Sequence, residues 1–314
     1  MKQPWLSVIL PTYNGAAFLP KALESVRAQG DADLELIAVD DGSTDDTIEI
    51  LDEYATGLPL RIERRPRSGN WVAGTNHGLS LAHGKYVCFL HQDDLWAENR
   101  ASVLRAAVET APDAALVVHP SWFVDSTGRK LGLWRCPLPE GKLDGQLVME
   151  RLIIQNFLAI PAPIFRRELV LQNGGMDESL WYTADWDLWL ALARIGPVVH
   201  VPRPLACFRV HASSQTSQRT RDESAMREQL EAVLRKHLPA AAGCHENIVA
   251  AATLSAELNV ALAAALHGSR FPWARLLRRF VSLGPLGWHR FLRDSRIGDR
   301  VSARLRNRSR AAHA

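Results

Sequence analysis

Cysteine is scarce. Cys88, Cys136, Cys207 and Cys244 are the only four among 314 residues; they lie far apart, and no pair has C-x-x-C spacing. That excludes a zinc knuckle or a disulfide framework and fits a reducing cytosol. A strongly apolar run of the roughly 20 residues a membrane span needs is also missing. The longest apolar stretch, 248–266, is Ala-rich and interrupted by Glu257 and Asn259, so a soluble helix is expected there. Near the start, Lys2 is followed at once by Pro4 and a short apolar run, too short for the apolar region of a leader. No secretory signal is expected, and the chain is placed in the cytoplasm. No G-x-G-x-x-G follows a candidate strand, and Gly84-Lys85 has no Gly five residues before Gly84. Both phosphate-loop signatures fail, which argues against a dehydrogenase or a nucleotidyltransferase.

What is present is ordinary for a globular protein: 47% hydrophobic and 23% charged residues, enough to bury a sizeable core. The net charge of +3 conceals an asymmetry. Residues 268–314 hold twelve Arg, no Lys and two acids, a net +10, whereas the remainder holds 25 basic and 32 acidic residues, a net −7. A mildly acidic body with a basic tail points to two tasks in two regions.

Apolar spacing predicts strands at 6–10, 34–39, 60–63, 86–90 and 115–119, with helices between them at 18–29, 47–54, 74–82 and 98–110. Ser43 is expected to cap the second helix. This alternation implies an α/β fold with a mostly parallel sheet, whose strands end along one ligand-binding edge. Thr12-Tyr13-Asn14, Asp40-Asp41 and Asp93-Asp94 all follow strand ends, so the fold itself would gather them. Residues 130–165 read as irregular, apart from a helical piece near 147–154. Further on, a helix at 185–194, a strand at 198–201 and a charged amphipathic helix at 222–237, a lid or a boundary, are expected.

Two adjacent carboxylates after a buried strand are costly to hold together unless a cation or a partner neutralises them. Asp93-Asp94 reads either as a helix-capping pair or as ligands for Mg²⁺ or Mn²⁺ bridging the protein to phosphates. The neighbours bear on that choice. Val8-Ile9-Leu10-Pro11-Thr12-Tyr13-Asn14, then Val39-Asp40-Asp41-Gly42-Ser43-Thr44-Asp45, then Asn76 with Ala82-x-Gly84-x-Tyr86, then Leu90-x-x-Asp93-Asp94 appear in that order. Together they resemble the donor domain of glycosyltransferase family 2, which has the GT-A fold. Gly174-Gly175-Met176-Asp177-Glu178 and Asp185-Trp186-Asp187-Leu188-Trp189-Leu190 resemble the acceptor-side segment of that family, and Phe208-Arg209-Val210-His211 its aromatic-Arg-x-His motif. The resemblance spans roughly residues 5–215 and rests on the ordered set, since each motif alone is weak.

The resemblance implies an inverting transferase that moves a sugar from a nucleoside diphosphate donor, of UDP or dTDP type, to a hydroxyl of a glycan or lipid-linked acceptor in bacterial surface polysaccharide assembly. Asp41 matches the carboxylate that accepts from the donor's pyrimidine ring, which suits a ring N–H. Pro11, Thr12 and Tyr13 match the segment flanking the nucleoside; Tyr13 is either a stacking platform or a core aromatic. Asp93 matches the ribose or metal contact and Asp94 the metal ligand. His211 matches the late His that completes the metal site or touches the diphosphate, with Arg209 beside it at the donor. Asp185 matches the catalytic base. Oxygen ligands with at most one His suit Mn²⁺ or Mg²⁺ over zinc.

Two departures stand out. Many members carry an Asp where His91 stands, and an acid where Ala184 stands. Asp187 is the fallback base, and a catalytically silent nucleotide-sugar-binding scaffold is the alternative function. Trp181, Trp186 and Trp189 surround the expected base, at least one of them in the core. The expected division is a GT-A domain over 1–237, with a donor half at about 1–120 and an acceptor half at about 121–237, followed by a helical, Arg-rich region at 238–314. In that region Trp273, Leu276, Leu277 and Phe280 share one helical face, and Trp288, Phe291 and Leu292 another. Aromatic apolar faces with many Arg are what an interfacial helix lays against anionic lipid. Peripheral contact with the inner face of the cell membrane is therefore expected from 268–314, against packing on the domain or a disordered terminus. No nucleic-acid motif accompanies the charge.

Overall fold

A computed structural model describes residues 3–211, 214, 222–242 and 245–311. Cys244 and the last three residues of the Arg-rich tail lie outside them. The first strands are β1 (Leu6–Thr12), β2 (Leu34–Asp40), β3 (Leu60–Arg64) and β4 (Tyr86–Phe89), separated by α1 (Leu19–Arg27), α2 (Thr47–Tyr54) and α3 (Trp71–Leu81). Then follow β5 (Leu95–Trp96), α4 (Arg100–Thr110), β6 (Leu116–Val118), β7 (Ser121–Val124), β8 (Lys130–Trp134), β9 (Gly141–Leu143), α5 (Gly145–Leu152), β10 (Ile164–Arg166), α6 (Arg167–Gln172), α7 (Ala184–Ile195), β11 (Val198–His200) and β12 (Ala206–Arg209).

An eight-stranded sheet runs β3-β2-β1-β4-β10-β6-β11-β9. Strands β3, β2, β1 and β4 are parallel, as the alternation requires. β1 and β2 are near-continuous apolar runs because helices cover both faces. Ile9 points into one core with Val87 and Phe89, while Val8 and Leu10 point into the other with Leu36 and Cys88. The parallel order is interrupted by β10, which pairs antiparallel with both β4 and β6. A smaller sheet, β5-β12-β7-β8, stands beside the main one.

Two expectations need correction here. The 130–165 stretch is not irregular: it supplies β8, β9, α5 and the start of β10. Ser43 does not cap α2; it donates through N–H and hydroxyl to the Asp40 carboxylate and accepts from the Asn14 N–H. It therefore ties the β2 end to the β1 end.

Beyond the second sheet, α8 (Glu223–Ala242), α9 (Glu246–Leu266), α10 (Trp273–Ser282), α11 (Gly284–Ser295) and α12 (Ile297–Ala311) follow. The sequence division at 237–238 falls inside α8. By length and composition alone, α9 is apolar enough to cross a membrane, but half of that stretch is buried here. Its Ile248, Ala251, Leu254 and Val260 belong to the same apolar cluster as α5 and α7. The polar interruption is used: Ser255 and Asn259 both donate to Gln155 Oε1, at 2.8 and 2.6 Å. The end of the chain returns to the body, since Arg306 donates to Leu131 O at 2.6 Å and Arg135 pairs with Asp299 at 2.8 Å. This carries α12 back across the small sheet.

Candidate active site

The carboxyl ends of β1, β2 and β4 open into a cleft of about 560 Å³ whose lining includes Asp41, Asp94 and Asp185. Three acids distant in sequence thus share one cavity. The donor and acceptor motifs are physically joined beside it. Asn76 on α3 donates to Met176 O and accepts from Met176 N–H, both at 2.9 Å. Gly175 has φ +82°, and a Cβ there would lie 2.7 Å from Asn76 Oδ1, so the glycine is required at that crossing.

At the end of the cleft beside β1 and β2 the Asp40-Asp41 pair divides its work. Asp40 is buried and holds Thr12 Oγ1 at 3.0 Å and Ser43, which fixes the turn. Asp41 faces the cleft and accepts from Ser68 N–H and hydroxyl at 2.7 and 2.8 Å, from Gly69 N–H at 2.9 Å, and from the Arg67 guanidinium. Burial opposes its charge, but these hydrogen bonds and the Arg67 cation outweigh it and hold its carboxyl below the ordinary range. Tyr13 is half-buried at the cleft wall, with the Arg67 guanidinium 3.5 Å from its ring centroid. A base that stacks on Tyr13 and meets Asp41 must therefore move Arg67 aside. Sequence reasoning passed over Arg67, which sits in a loop between β3 and α3 with no periodicity to mark it. It also missed Gln92, which clamps Tyr13 by accepting from its N–H at 2.8 Å and donating to its carbonyl at 3.0 Å.

In the acidic turn after β4, Asp94 is buried; its Oδ1 accepts from Arg209 N–H at 2.9 Å, and among the described residues its Oδ2 has no partner. Burial, then the neighbouring Asp93 charge, push its carboxyl well above the ordinary range. Burial works against Asp93 too, but the hydrogen bond from His211 Nε2 to its Oδ2, 2.8 Å, brings it below that range. Arg209 is buried and lines the cleft; its Nε donates to Asp93 O at 2.6 Å and its Nη1 to Asp125 O at 2.9 Å and Ser126 O at 3.0 Å, while among the described residues its Nη2 has no partner. These bonds lock the acidic turn onto β12 and leave Nη2 as the donor still open to a phosphate. His91, where many members have an acid, packs edge-on against Trp71 with ring centroids 5.0 Å apart. Burial lowers its pKa, so it adds no charge at neutral pH.

The residues at this turn fit a divalent cation in one respect and limit it in another. An orphaned, buried carboxylate oxygen beside a second carboxylate is what a cation would relieve. Among the described residues, however, no three His, Cys, Asp or Glu side chains converge tightly enough to hold an ion by themselves. Asp94 would hold it, with Asp93 and His211 adjacent, and donor phosphates and water would complete the shell.

At the other end, Asp185 stands in the first turn of α7. Its Oδ2 accepts from Asn156 Nδ2 at 3.0 Å and its Oδ1 from Trp186 N–H at 2.8 Å. Desolvation raises its pKa to about 6, against those two hydrogen bonds and the Arg300 charge. Such a group is ionised at neutral pH yet basic enough to take a proton. Asp187 is not a fallback base. It is 3% exposed, turned away from the cleft, and bonded to Lys236 Nζ and His237 Nε2, both at 2.8 Å. It fastens α8 to α7. Trp189 is core, packed on Phe89 and Phe165, and Trp186 is buried with its indole N–H on Leu152 O at 2.8 Å. Trp181 is half-buried and lines the cleft.

Residues 7–168 match the sequence profile of Glycosyl transferase family 2, just over half of the chain, and the protein belongs to that family. An uncharacterized glycosyltransferase of Rickettsia prowazekii is 29% identical over 222 residues, covering 68% of this chain and 66% of the relative. The chain thus spans about two thirds of the rickettsial protein's length. A PGL/p-HBAD biosynthesis glycosyltransferase of Mycobacterium tuberculosis is 32% identical over 189 residues, covering 60% of this chain and 69% of the relative. Among solved structures, residues 1–349 of Staphylococcus aureus TarS superpose with a TM-score of 0.64 at 20% identity, covering 98% of this chain and 92% of that one. The Pyrobaculum calidifontis mannosyltransferase PcManGT, in complex with GDP-Man and Mn²⁺, gives 0.59 at 18%, covering 98% and 88%. At these identities the likeness shows the fold, which is of the GT-A type with a helical C-terminal region.

Proposed function

We propose that this family 2 protein is an inverting glycosyltransferase that moves a sugar from a nucleoside diphosphate donor to a hydroxyl of a glycan or lipid-linked acceptor in bacterial surface polysaccharide assembly. The observation that carries this reading is that Asp41, Asp94 and Asp185 line one cleft. Asp41 and Tyr13 would take the base once Arg67 has moved, with Pro11 and Thr12 flanking the nucleoside. A UDP or dTDP donor presents a ring N–H suited to a carboxylate; the solved relatives bind UDP, UDP-GlcNAc or GDP-Man. Asp94, with Asp93 and His211 adjacent, would hold Mn²⁺ or Mg²⁺. When bound, that cation stabilises the charge left on the departing diphosphate. Asp185 would take the proton from the acceptor hydroxyl as it attacks the anomeric carbon. Asn156 and the Trp186 N–H orient that carboxylate, which leaves an oxygen lone pair for the acceptor. The other carboxylates lining the cleft, Asp41, Asp93 and Asp94, belong to the nucleotide and metal end. One base and no second nucleophile favour a single displacement and inversion. The division into a donor half at about 1–120, an acceptor half at about 121–237 and a C-terminal region from 238 belongs to the same proposal. The direct test is release of nucleoside diphosphate from a panel of nucleotide sugars with Mn²⁺, where no release above the uncatalysed rate would remove the reading.

A pH profile checks the base. Because the Asp185 pKa is raised to about 6, the competent ionised form is lost as pH falls through that value. Below it, kcat/KM should drop about tenfold per pH unit, and above it run level to pH 8. A profile flat down to about pH 4, an unshifted carboxyl, would assign the proton to another group.

We also propose peripheral contact with anionic membrane through the C-terminal helices. The apolar faces named from sequence divide: Leu276 and Phe291 are buried and Phe280 packs on the core, whereas Trp273, Leu277 and Leu292 face outward. On the outward side Trp273 is 73%, Leu277 62% and Val281 57% exposed, and Leu286 of α11 79%. Between Gly268 and Arg293 there is no acidic residue, and six Arg flank these positions. Aromatic and aliphatic groups amid arginines suit an anionic lipid surface. In liposome flotation the full chain should float with vesicles containing phosphatidylglycerol, and Trp273→Ser with Leu277→Ser should sink. Equal flotation of the two proteins would end this part of the proposal.

A further inference from the structure

We infer that Arg300 and Arg304 of α12 form a phosphate-binding subsite within the catalytic cleft; the inference rests on the glycosyltransferase reading of that cleft. Both side chains line it, although they lie more than a hundred residues beyond Asp185. Four residues apart on a helix, they present neighbouring guanidinium groups from one face. The helix is held by independent anchors: Ala303 is buried, Arg306 donates to Leu131 O, and Asn307 donates to Val210 O at 3.3 Å. Arg300 and Arg304 are thus delivered to the cleft by a helix that Ala303, Arg306 and Asn307 help to dock.

Arg300 has an unusual environment for a half-buried cation. Its Nη1 donates to the neutral Asn259 Oδ1 at 3.1 Å, and its Cζ lies 5.6 Å from the Trp134 ring centroid. Among the described residues no carboxylate forms an ion pair with it, although its charge reaches Asp185 and lowers that group's pKa against desolvation. A guanidinium drawn out of water against an amide and an indole keeps most of its donors for something else. Its planar fork matches phosphate oxygens in pairs, where an ammonium would offer a point charge. Phosphate can reach this place from two sources, the diphosphate of the donor or a phosphate carried by the acceptor.

The test uses the full chain with Arg300→Gln and Arg304→Gln combined, titrated calorimetrically with Mn²⁺ present against UDP, uridine and sn-glycerol 3-phosphate. The expected result is a loss of about tenfold or more for a phosphate-bearing probe, with uridine affinity unchanged. Loss for UDP alone assigns the subsite to the donor diphosphate; loss for glycerol phosphate alone assigns it to an acceptor phosphate. Unchanged affinity for both probes overturns the inference while leaving the transferase reading in place. Wild-type protein that binds no nucleotide removes the transferase reading, and the glycerol phosphate titration then still decides the subsite. Should the double variant melt early, Arg300→Lys and Arg304→Lys, which keep charge and stem but lose the fork, provide the same comparison, with partial loss expected.

Discussion

Asp185→Asn should lower turnover of a nucleotide-sugar donor about 10³-fold, within the range general-base catalysis supplies, while nucleoside diphosphate affinity stays within about threefold. The substitution is nearly isosteric. The amide oxygen can still accept from Trp186 N–H or Asn156, so α7 and the cleft wall keep their shape. What disappears is a basic site with a pKa near 6. The split matters more than the loss. A silent nucleotide-sugar-binding scaffold would have no turnover to lose and would show equal affinity in both proteins. A fall in affinity matching the fall in turnover would place Asp185 at the donor and not at the acceptor hydroxyl.

Asp94→Asn should have two effects of opposite sign. With donor and Mn²⁺, turnover should fall at least about 100-fold, because several kcal/mol of charge stabilisation on the leaving diphosphate are lost. Without metal, the same variant should melt at a higher temperature than the wild type above neutral pH. Asp94 is a buried carboxyl raised by desolvation and by Asp93, so its ionisation is unfavourable in the metal-free fold. For an acid with a raised folded pKa, stability is lost as pH climbs through that pKa, and Asn removes this loss. The two melting curves should converge in acid, where Asp94 is protonated. Asn still accepts from Arg209 N–H, so the acidic turn stays docked on β12. If the metal-free variant is less stable at every pH, Asp94 is held by contacts within the fold and not by an absent cation.

The first 120 residues were legible because their strands carry two signals that agree. β1, β2 and β4 are short apolar runs closed by Pro, Asp-Gly or Asp-Asp, and amphipathic periods lie between them. A parallel sheet then brings residues 12–14, 41 and 93–94 to one edge without further information. Beyond Trp122 the elements at 185–194, 198–201 and 222–237 still show, but the other short strands do not, for physical reasons. β10 has three residues within a proline-rich stretch, and its antiparallel insertion between β4 and β6 is fixed by tertiary pairing that no local pattern announces. The small sheet has strands of two to five residues, too short for a period to show.

The site was legible in its carboxylates and obscure in its cations. Asp41, Asp94 and Asp185 could be named from motifs, whereas Arg67 belongs to a loop and Arg300 to a tail whose charge suggested lipid, with packing on the domain as an alternative. The Asp185 and Asp187 pair shows the limit of a motif. Both acids open the same helix two residues apart, so they point to different sides, one into the cleft and one against α8. Only packing separates the proposed base from the fastener. On α10 the outcome was similar: the named face is divided between core and solvent, because Leu276 and Leu277 are equally apolar and only the docking partner decides which is buried.

Anomalous scattering from crystals grown with UDP and Mn²⁺ tests the metal-centred arrangement most directly. The expected result is one manganese peak in contact with Asp94 Oδ2 and the diphosphate, with Asp93 beside it and Asp185 across the space left for a sugar. A diphosphate bound while that buried oxygen stays without a partner, or manganese at a distant surface position, would contradict it.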